Sequence, residues 1–108
     1  RRHEREAQGR ALVETVGARS SRTPLVLLGD LNAGTDAPLV RALAAELFDA
    51  RRAATTRTPT YPARWPIFAL DHIFVSAPLS VREARTPRTP AAAVASDHLP
   101  LLATLTWG

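Results

Sequence analysis

The sequence predicts a single α/β domain in which helices pack on a sheet. The chain has 108 residues, a length that suits one hydrophobic core and is short for two. Helical and strand patterns alternate along it, and several strand patterns follow one another near its end. It contains no Cys and no Met, so a disulfide framework and a thiolate metal site are both excluded.

The first half of the chain predicts a helix, a strand and a second helix. Residues 4–18 contain no Pro and place apolar residues three and four positions apart, as in an amphipathic helix. Residues 25–28 are all apolar, which is typical of a strand buried on both faces. Asp36 is expected to cap a second helix that holds Pro38 in its first turn. The apolar residues expected on one side of that helix are Leu39, Val40, Leu43 and Leu47.

The second half of the chain predicts two loops and a run of strands. Residues 51–66 are rich in Arg, Thr and Pro and lack periodicity, so they predict a loop. Strands are predicted at 69–76 and 79–85, and a second loop at 86–96 leads to a last strand at 101–107. The polar residues that could perform chemistry lie at the ends of these strands.

The charge and the first residues bear on the partners and on the extent of the protein. The formal net charge of +4 comes from Arg, because the chain has no Lys. A planar guanidinium matches the oxygens of phosphate, although a solvated basic surface is the alternative for most of these side chains.

No apolar run approaches the roughly 20 residues that cross a bilayer. Because the chain begins at Arg1, without Met and inside a helical pattern, we expect a fragment of a longer protein.

The first motif whose side chains could take part in a reaction is "LLGDLN", residues 27–32, at the end of the first predicted strand. Asp30 and Asn32 are two positions apart and would point to the same face of an extended chain. Together they could position a water or a metal ion and hydrogen-bond a phosphate oxygen. The alternative is an ordinary turn, because Asp and Asn side chains bond to their own backbone.

The second motif is "LDHIFVS", residues 70–76. Asp71 opens a strand whose next residues are apolar, so its carboxylate is expected near the mouth of the core. A charged strand edge that discourages aggregation is the alternative. His72 would point the opposite way from Asp71, and we expect it to be a structural histidine.

The third motif is "SDHLP", residues 96–100. Asp97 and His98 are adjacent and reach one point only if the chain bends, which Pro100 favours because it restricts the residue before it. A buried carboxylate partner would fix the imidazole tautomer and favour its charged form. Asp71 is the candidate partner for His98. The alternative is an Asp-His pair on the surface.

These motifs, in this order and each at a strand end, resemble the C-terminal half of the endonuclease/exonuclease/phosphatase superfamily, the deoxyribonuclease-like hydrolases. The resemblance runs from the first helix to Trp107. It implies that residues 1–108 are a partial domain, namely the C-terminal half of a four-layer α/β/β/α sandwich. Such a half would contain a mixed, mainly antiparallel sheet with helices on one face.

The resemblance also implies a divalent-metal-dependent phosphoesterase that hydrolyses a phosphodiester or a phosphomonoester. Asp30 would position and deprotonate the attacking water, or His98 would be the base instead. Asn32 and His98 would bind the phosphate, with His98 oriented by Asp71. Asp97 would help to hold Mg²⁺ or Mn²⁺. Phosphoryl transfer needs positioning and charge neutralisation, and oxygen ligands suit Mg²⁺.

The substrate is left open between nucleic acid, a phospholipid headgroup and other phosphoesters. Residues of the first long loop are candidates for contacts with phosphates and bases, although Trp65 could equally cover the edge of the core. These candidates are Arg51, Arg52, Arg57, Arg64, Tyr61 and Trp65. A noncatalytic module that binds phosphate or nucleic acid on the same scaffold is the alternative function.

The chain departs from the family pattern at two points. His72 stands where many relatives carry Tyr. The metal-binding Glu, the Asn and the second His or Tyr that the first half of the family domain supplies have no counterpart here. We therefore expect little activity from the 108 residues alone. A half sandwich leaves one sheet face bare, so we expect the missing N-terminal half or a second copy to cover it.

Overall fold

Antiparallel sheets, helices and connecting loops make up residues 2–108, the part of the chain that a computed structural model describes. The predicted α/β class is confirmed. In chain order the elements are helix α1 (Arg2–Ser20), strand β1 (Val26–Asp30), helix α2 (Pro38–Glu46), strand β2 (Phe48–Asp49), a 3₁₀ turn (Ala50–Ala53), strands β3 (Asp71–Val75) and β4 (Leu79–Arg85), helix α3 (Pro90–Ala95) and strand β5 (Leu102–Trp107).

The first sheet has the strand order β1-β3-β2, and both pairings are antiparallel. The register places Val26 opposite Val75 and Asp30 opposite Asp71. Because the strands are antiparallel, the end of β1 and the start of β3 meet at one edge of the sheet. This register brings the first and second motifs together.

The core lies between this sheet and the helices α1 and α2. Val16 of α1, Val40 and Leu43 of α2, and Phe74 of β3 are buried in one cluster with Leu47. Fully burying a side chain of this size contributes about 1.5–3 kcal/mol relative to leaving it in water. The helical pattern of the sequence therefore identifies the face that covers the sheet.

The opposite face of the sheet is open to solvent along β1. Val26 is 41% exposed and Leu28 is 67% exposed, so the prediction that this strand is buried on both faces is wrong for the chain as it stands. Apolar composition indicates that a strand avoids water, but it does not indicate which part of a protein covers it. Alternate residues of a strand share a face, so Asp30 lies on the same open face as Val26 and Leu28.

The second sheet pairs β4 with β5, and its register runs from Leu79 opposite Trp107 to Arg85 opposite Leu102. A β-bulge lies between Val81 and Glu83. Both strands were predicted with nearly these bounds. The alternating pattern succeeds here because an antiparallel pair with one solvated face shows a period of two residues.

Two local predictions are wrong. Asp36 does not cap α2: the capping position is Ala37, which has no side-chain hydrogen bond, while Pro38 is at the start of the helix as predicted. Residues 86–96 are not wholly a loop, because they contain α3. The Thr89 side chain accepts a hydrogen bond from the Ala92 amide, and Pro90 follows it. A capping Thr, a Pro in the first turn and a run of Ala favour a helix.

Helix α1 carries several charged side chains, and it is the longest helix of the described chain. None of the helices within residues 2–108 is long and apolar enough to cross a membrane.

Candidate active site

The ends of three segments meet around the imidazole of His98. Its Nδ1 lies 2.6 Å from Oδ2 of Asp71, at the start of β3. Its Nε2 lies 3.7 Å from Oδ2 of Asp30, at the end of β1. The structure therefore brings together Asp30, Asp71 and His98, which sequence analysis placed on separate strand ends.

The two carboxylates are close because Asp30 and Asp71 are direct partners in the antiparallel register. Like charges directly opposite one another destabilise a sheet. His98 approaches both groups, and a positive imidazolium there offsets their repulsion. The site thus places two acids beside a histidine that would neutralise part of their charge when it is protonated.

The environment raises the pKa of the His98 imidazole above its ordinary value. The largest cause is the hydrogen bond to Asp71, and the negative charges of Asp71, Asp30 and Asp97 act in the same direction, while partial burial opposes them. The Nδ1–H donates to Asp71. In the imidazolium the Nε2–H is a second donor, and it lies on the side of Asp30.

Asp30 has two different environments for its two oxygens. Oδ1 accepts a hydrogen bond of 2.7 Å from the Asn32 amide, which is the turn that sequence analysis held as the alternative. Oδ2 faces His98. The turn interpretation is therefore right for Oδ1, while the role of Oδ2 in a site stays a prediction.

Asn32 has a φ of 49°, which lies in the left-handed region that Asn tolerates better than most residues. The chain is therefore not extended between Asp30 and Asn32, and the expected common face does not exist. The Asn32 side chain is exposed and makes no hydrogen bond to any other side chain within residues 2–108. Its phosphate-binding role stays a prediction.

The segment before β5 bends at Asp97 and His98, as the sequence predicted. Asp97 is exposed, and its backbone carbonyl accepts a hydrogen bond of 2.6 Å from the Ala63 amide. Within the described chain, the ligand atoms of Asp30, Asp71 and His98 lie within 4.8 Å of one another, a spacing at which they could hold a metal ion. Asp97 is not part of this group, and its metal-binding role stays a prediction.

Residues 60–63 pack against the site from the long loop, where sequence analysis named only Tyr61, as a candidate contact for phosphates and bases. The Tyr61 ring is tilted against the His98 ring, with 4.9 Å between the centroids. Thr60 is fully buried and hydrogen-bonds to neighbouring backbone. Loops show no periodicity that would indicate such contacts.

His72 lies on the opposite side of β3 from Asp71 and is buried, so the structural role predicted for it holds in the fold. Its Nδ1 is 3.1 Å from an Arg51 nitrogen, and its Nε2 is 2.7 Å from the Ala33 carbonyl oxygen. Because Arg is always a donor, Nδ1 must accept and Nε2–H must donate. This tautomer is the neutral imidazole, and burial lowers the pKa of His72 accordingly.

Arg51 is held below the site and does not extend from the loop towards solvent. Its Nε and one terminal nitrogen donate to Thr58, at 2.8 Å and 3.0 Å, and its other terminal nitrogen donates to His72. The interpretation of Arg51 as a surface contact for phosphate is therefore wrong. It links the long loop to the turn after β1 through His72.

Replacing His72 by Phe should destabilise the chain, because the Arg51 guanidinium and the Ala33 carbonyl both lose their partner. Each buried group left unpaired costs about 1–3 kcal/mol. The change in the free energy of unfolding can be measured by urea denaturation. His3→Phe, at an exposed position of α1, is the matched control and should change stability by less than about 0.5 kcal/mol. Equal stabilities of the two variants would contradict the proposed link.

An α/β scaffold whose strand ends bring paired carboxylates against a histidine has the parts of a hydrolytic site. The sequence model of the endonuclease/exonuclease/phosphatase family matches residues 1–98, and the chain belongs to this family. Enzymes of the family are generally dependent on a divalent metal. The resemblance found in the sequence is thereby confirmed. A comparison with curated protein sequences gives no match.

Solved structures share the fold. A conserved protein of unknown function from Enterococcus faecalis V583 is 22% identical, with a TM-score of 0.80, and the match covers 98% of this chain and 45% of that one. An endonuclease/exonuclease/phosphatase from Bacteroides vulgatus is 21% identical, with a TM-score of 0.78 over 96% of this chain and 44% of that one. A mannosyl-6-phosphatase from Bacteroides thetaiotaomicron VPI-5482 is 20% identical, with a TM-score of 0.78 over 95% of this chain and 46% of that one. The chain thus spans less than half the length of each.

Proposed function

We propose that the chain supplies the water-activating and phosphate-binding part of a divalent-metal-dependent phosphoesterase. The observation that carries this proposal is the convergence of Asp71, His98 and Asp30, with His98 at 2.6 Å from one acid and 3.7 Å from the other. Membership of a family of hydrolases supports it, and the fold shared with a mannosyl-6-phosphatase is compatible with it.

In this proposal His98 binds a phosphate oxygen and stabilises the charge that grows on it. Asp71 fixes the ring through Nδ1–H and favours the imidazolium, so that Nε2–H is free to donate. A charge-assisted hydrogen bond of this kind is about twice as strong as a neutral one. Because the ring is already oriented, little reorganisation is needed when the transition state forms.

Asp30 is the proposed base for the attacking water. Its Oδ2 lies on the side of His98 Nε2, so a water held by Asp30 and a phosphate held by His98 would be neighbours. The water oxygen forms a new bond to phosphorus, its proton passes to Asp30, and the bond from phosphorus to the leaving oxygen breaks in line. Asn32 is the proposed additional donor to the phosphate.

The residues of the site fit a hard divalent ion such as Mg²⁺ or Mn²⁺. Asp97 is an exposed carboxylate next to His98 in the chain, and Mg²⁺ is usually bound by one or two carboxylates together with waters and substrate oxygens. Asp97 is the residue of this chain that would help to hold it. When bound, the ion would neutralise charge on the phosphate.

We propose further that residues outside these 108 complete the active centre and cover the open face of β1. The chain spans 45% of the length of one matched structure and 46% of another, and the open face continues into the site at Asp30.

The activity can be tested with a generic phosphodiester such as bis(p-nitrophenyl) phosphate and with p-nitrophenyl phosphate as a monoester. The full-length protein should hydrolyse one of them with Mg²⁺, and the 108-residue chain should have little activity. Binding of phosphate without turnover would favour the noncatalytic module.

The open face should make the isolated chain self-associate, with a second copy standing in for the missing cover. Leu28→Ser should weaken this association about tenfold or more, because apolar area is no longer removed from water on contact. Sedimentation velocity over a concentration series measures the effect. Val94→Ser is the matched control, since Val94 is 71% exposed and belongs to α3 and not to β1. If the wild-type chain stays monomeric at all concentrations, the proposal that the open face of β1 must be buried by another chain or segment would be wrong.

A further inference from the structure

Thr60 is hydrogen-bonded to both segments that carry the Asp71–His98 pair, through its hydroxyl to one and through its backbone carbonyl to the other. Thr60 has 0% exposure. Its Oγ1 accepts hydrogen bonds from the backbone amides of Leu70, at 3.1 Å, and Asp71, at 3.3 Å. Its backbone carbonyl accepts a hydrogen bond of 2.7 Å from the Leu99 amide, directly after His98. One residue thus holds the start of β3 and the segment that carries the histidine.

Residues 60–63 are hydrogen-bonded to the residue before His98 and to the residue after it. The Ala63 amide donates to the Asp97 carbonyl, while the Leu99 amide donates to the Thr60 carbonyl. Between these two bonds, the Tyr61 ring packs against the imidazole. The backbone of residues 60–63 therefore fixes where His98 lies, and the Thr60 hydroxyl fixes the backbone of Asp71 relative to it.

We propose that Thr60 is a positioning residue for the reaction, acting through the distance between Asp71 and His98; the inference rests on the proposed function of that pair. The 2.6 Å hydrogen bond from His98 to Asp71 joins residues 27 positions apart. Residues so far apart in the chain are not held at that distance by local geometry, so the distance depends on a residue that contacts both segments. Thr60 is such a residue, and its hydroxyl makes the side-chain contact to the start of β3.

Thr60→Val tests this role because it keeps the shape of the side chain and removes the acceptor. The hydrogen-bonded Nδ1–H proton of His98 should give a downfield NMR signal in the wild-type chain. In Thr60→Val this signal should move upfield or broaden, whereas Thr60→Ser, which keeps the hydroxyl, should restore it. In the full-length protein Thr60→Val should lower kcat more than it changes KM, by up to about 10²-fold, because small misplacements of reacting groups cost rates of that order.

Ser76→Ala is the matched control, because Ser76 is a buried hydroxyl beyond the other end of β3 and accepts a 2.8 Å hydrogen bond from the Leu25 amide. It should lower stability like Thr60→Val and leave the His98 signal unchanged. A folded Thr60→Val chain with the wild-type signal would overturn the inference. So would equal loss of the signal in Ser76→Ala, since that would reflect stability alone.

A wild-type measurement keeps the test decisive if Thr60→Val does not fold. Groups that are hydrogen-bonded to one residue should be exposed by the same local opening. Hydrogen exchange should therefore report similar opening free energies for the Asp71 amide, the Leu99 amide and the His98 Nδ1–H. An Asp71 amide that exchanges far faster than the other two groups would overturn the role of the hydroxyl. Loss of the His98 signal in Thr60→Val, together with a full-length protein that hydrolyses no phosphoester, would support the Thr60 inference and overturn the proposed function.

Discussion

Asp30→Asn is expected to lower kcat of the full-length protein by about 10²–10⁴-fold, the range that a positioned general base contributes. A carboxamide cannot accept the proton of the attacking water. Its oxygen can still accept from the Asn32 amide, as Oδ1 does now, so the turn after β1 should persist. The loss should therefore be in catalysis and not in folding. Steady-state rates with a generic phosphoester and Mg²⁺ measure it.

Asp36→Asn is the matched control for this change. Asp36 is an exposed acid six positions further along the chain, and the charge removed is the same. Its kcat should equal that of the wild type. If Asp30→Asn also turned over at the wild-type rate, the assignment of Asp30 as the base would be wrong. If both variants lost activity equally, the effect would come from net charge and not from the site.

The convergence of Asp30 and Asp71 could be predicted because it follows from two ordinary properties of strands. Apolar runs identify strands, and polar residues at their ends come together when the strands pair side by side. The contact of His98 with Asp71 spans 27 positions, so the residues alone offered Asp71 as a candidate partner, and the resemblance to the family supported that choice. Periodicity reports which face of an element is buried. It does not report which distant loop covers it.

The parts of the site that sequence analysis missed lie in residues without periodicity. Thr60 and Arg51 belong to a stretch rich in Arg, Thr and Pro, which indicates only a loop. Thr60 matters through hydrogen bonds to backbone groups of β3 and of the segment before β5, and Arg51 through hydrogen bonds to Thr58 and to the His72 ring. Such bonds depend on where the loop passes, and local propensity contains no information on that path. His72, in contrast, was correctly assigned, because its direction follows from strand alternation alone.

The repulsion between Asp30 and Asp71 explains why His98 should matter to stability as well as to rate. The register of β1 and β3 makes the two acids direct neighbours, and only their side chains can move apart while the pairing is kept. A cation between them would offset this cost, and the His98 imidazole, whose pKa is raised by its bond to Asp71, is the group in position to be that cation. The same charge that would stabilise a phosphate therefore also stabilises the empty site.

His98→Gln should lower kcat of the full-length protein by about 10²–10³-fold, the usual loss when a positioned donor to a developing charge is removed. It should also remove a pH-dependent part of the stability of the 108-residue chain. The pKa of His98 is raised in the folded state, so its contribution is fully present below the unfolded pKa of about 6.5. That contribution is lost as the pH rises through the higher folded pKa. The difference in free energy of unfolding between wild type and His98→Gln should therefore be largest below about pH 6.5 and shrink as the pH rises through the raised folded pKa.

Urea denaturation at several pH values measures this difference, and His3→Gln is the matched control because it removes an exposed imidazole of α1. A difference between wild type and His98→Gln that stays constant with pH would show that the ring contributes packing against Tyr61 and not charge. A difference that grows with pH would reverse the sign of the linkage, and the imidazolium could then not be the group that holds the two carboxylates together. Only a difference that shrinks as the imidazole loses its proton is compatible with His98 as the cation of the site, because the repulsion between Asp30 and Asp71 is then left unopposed.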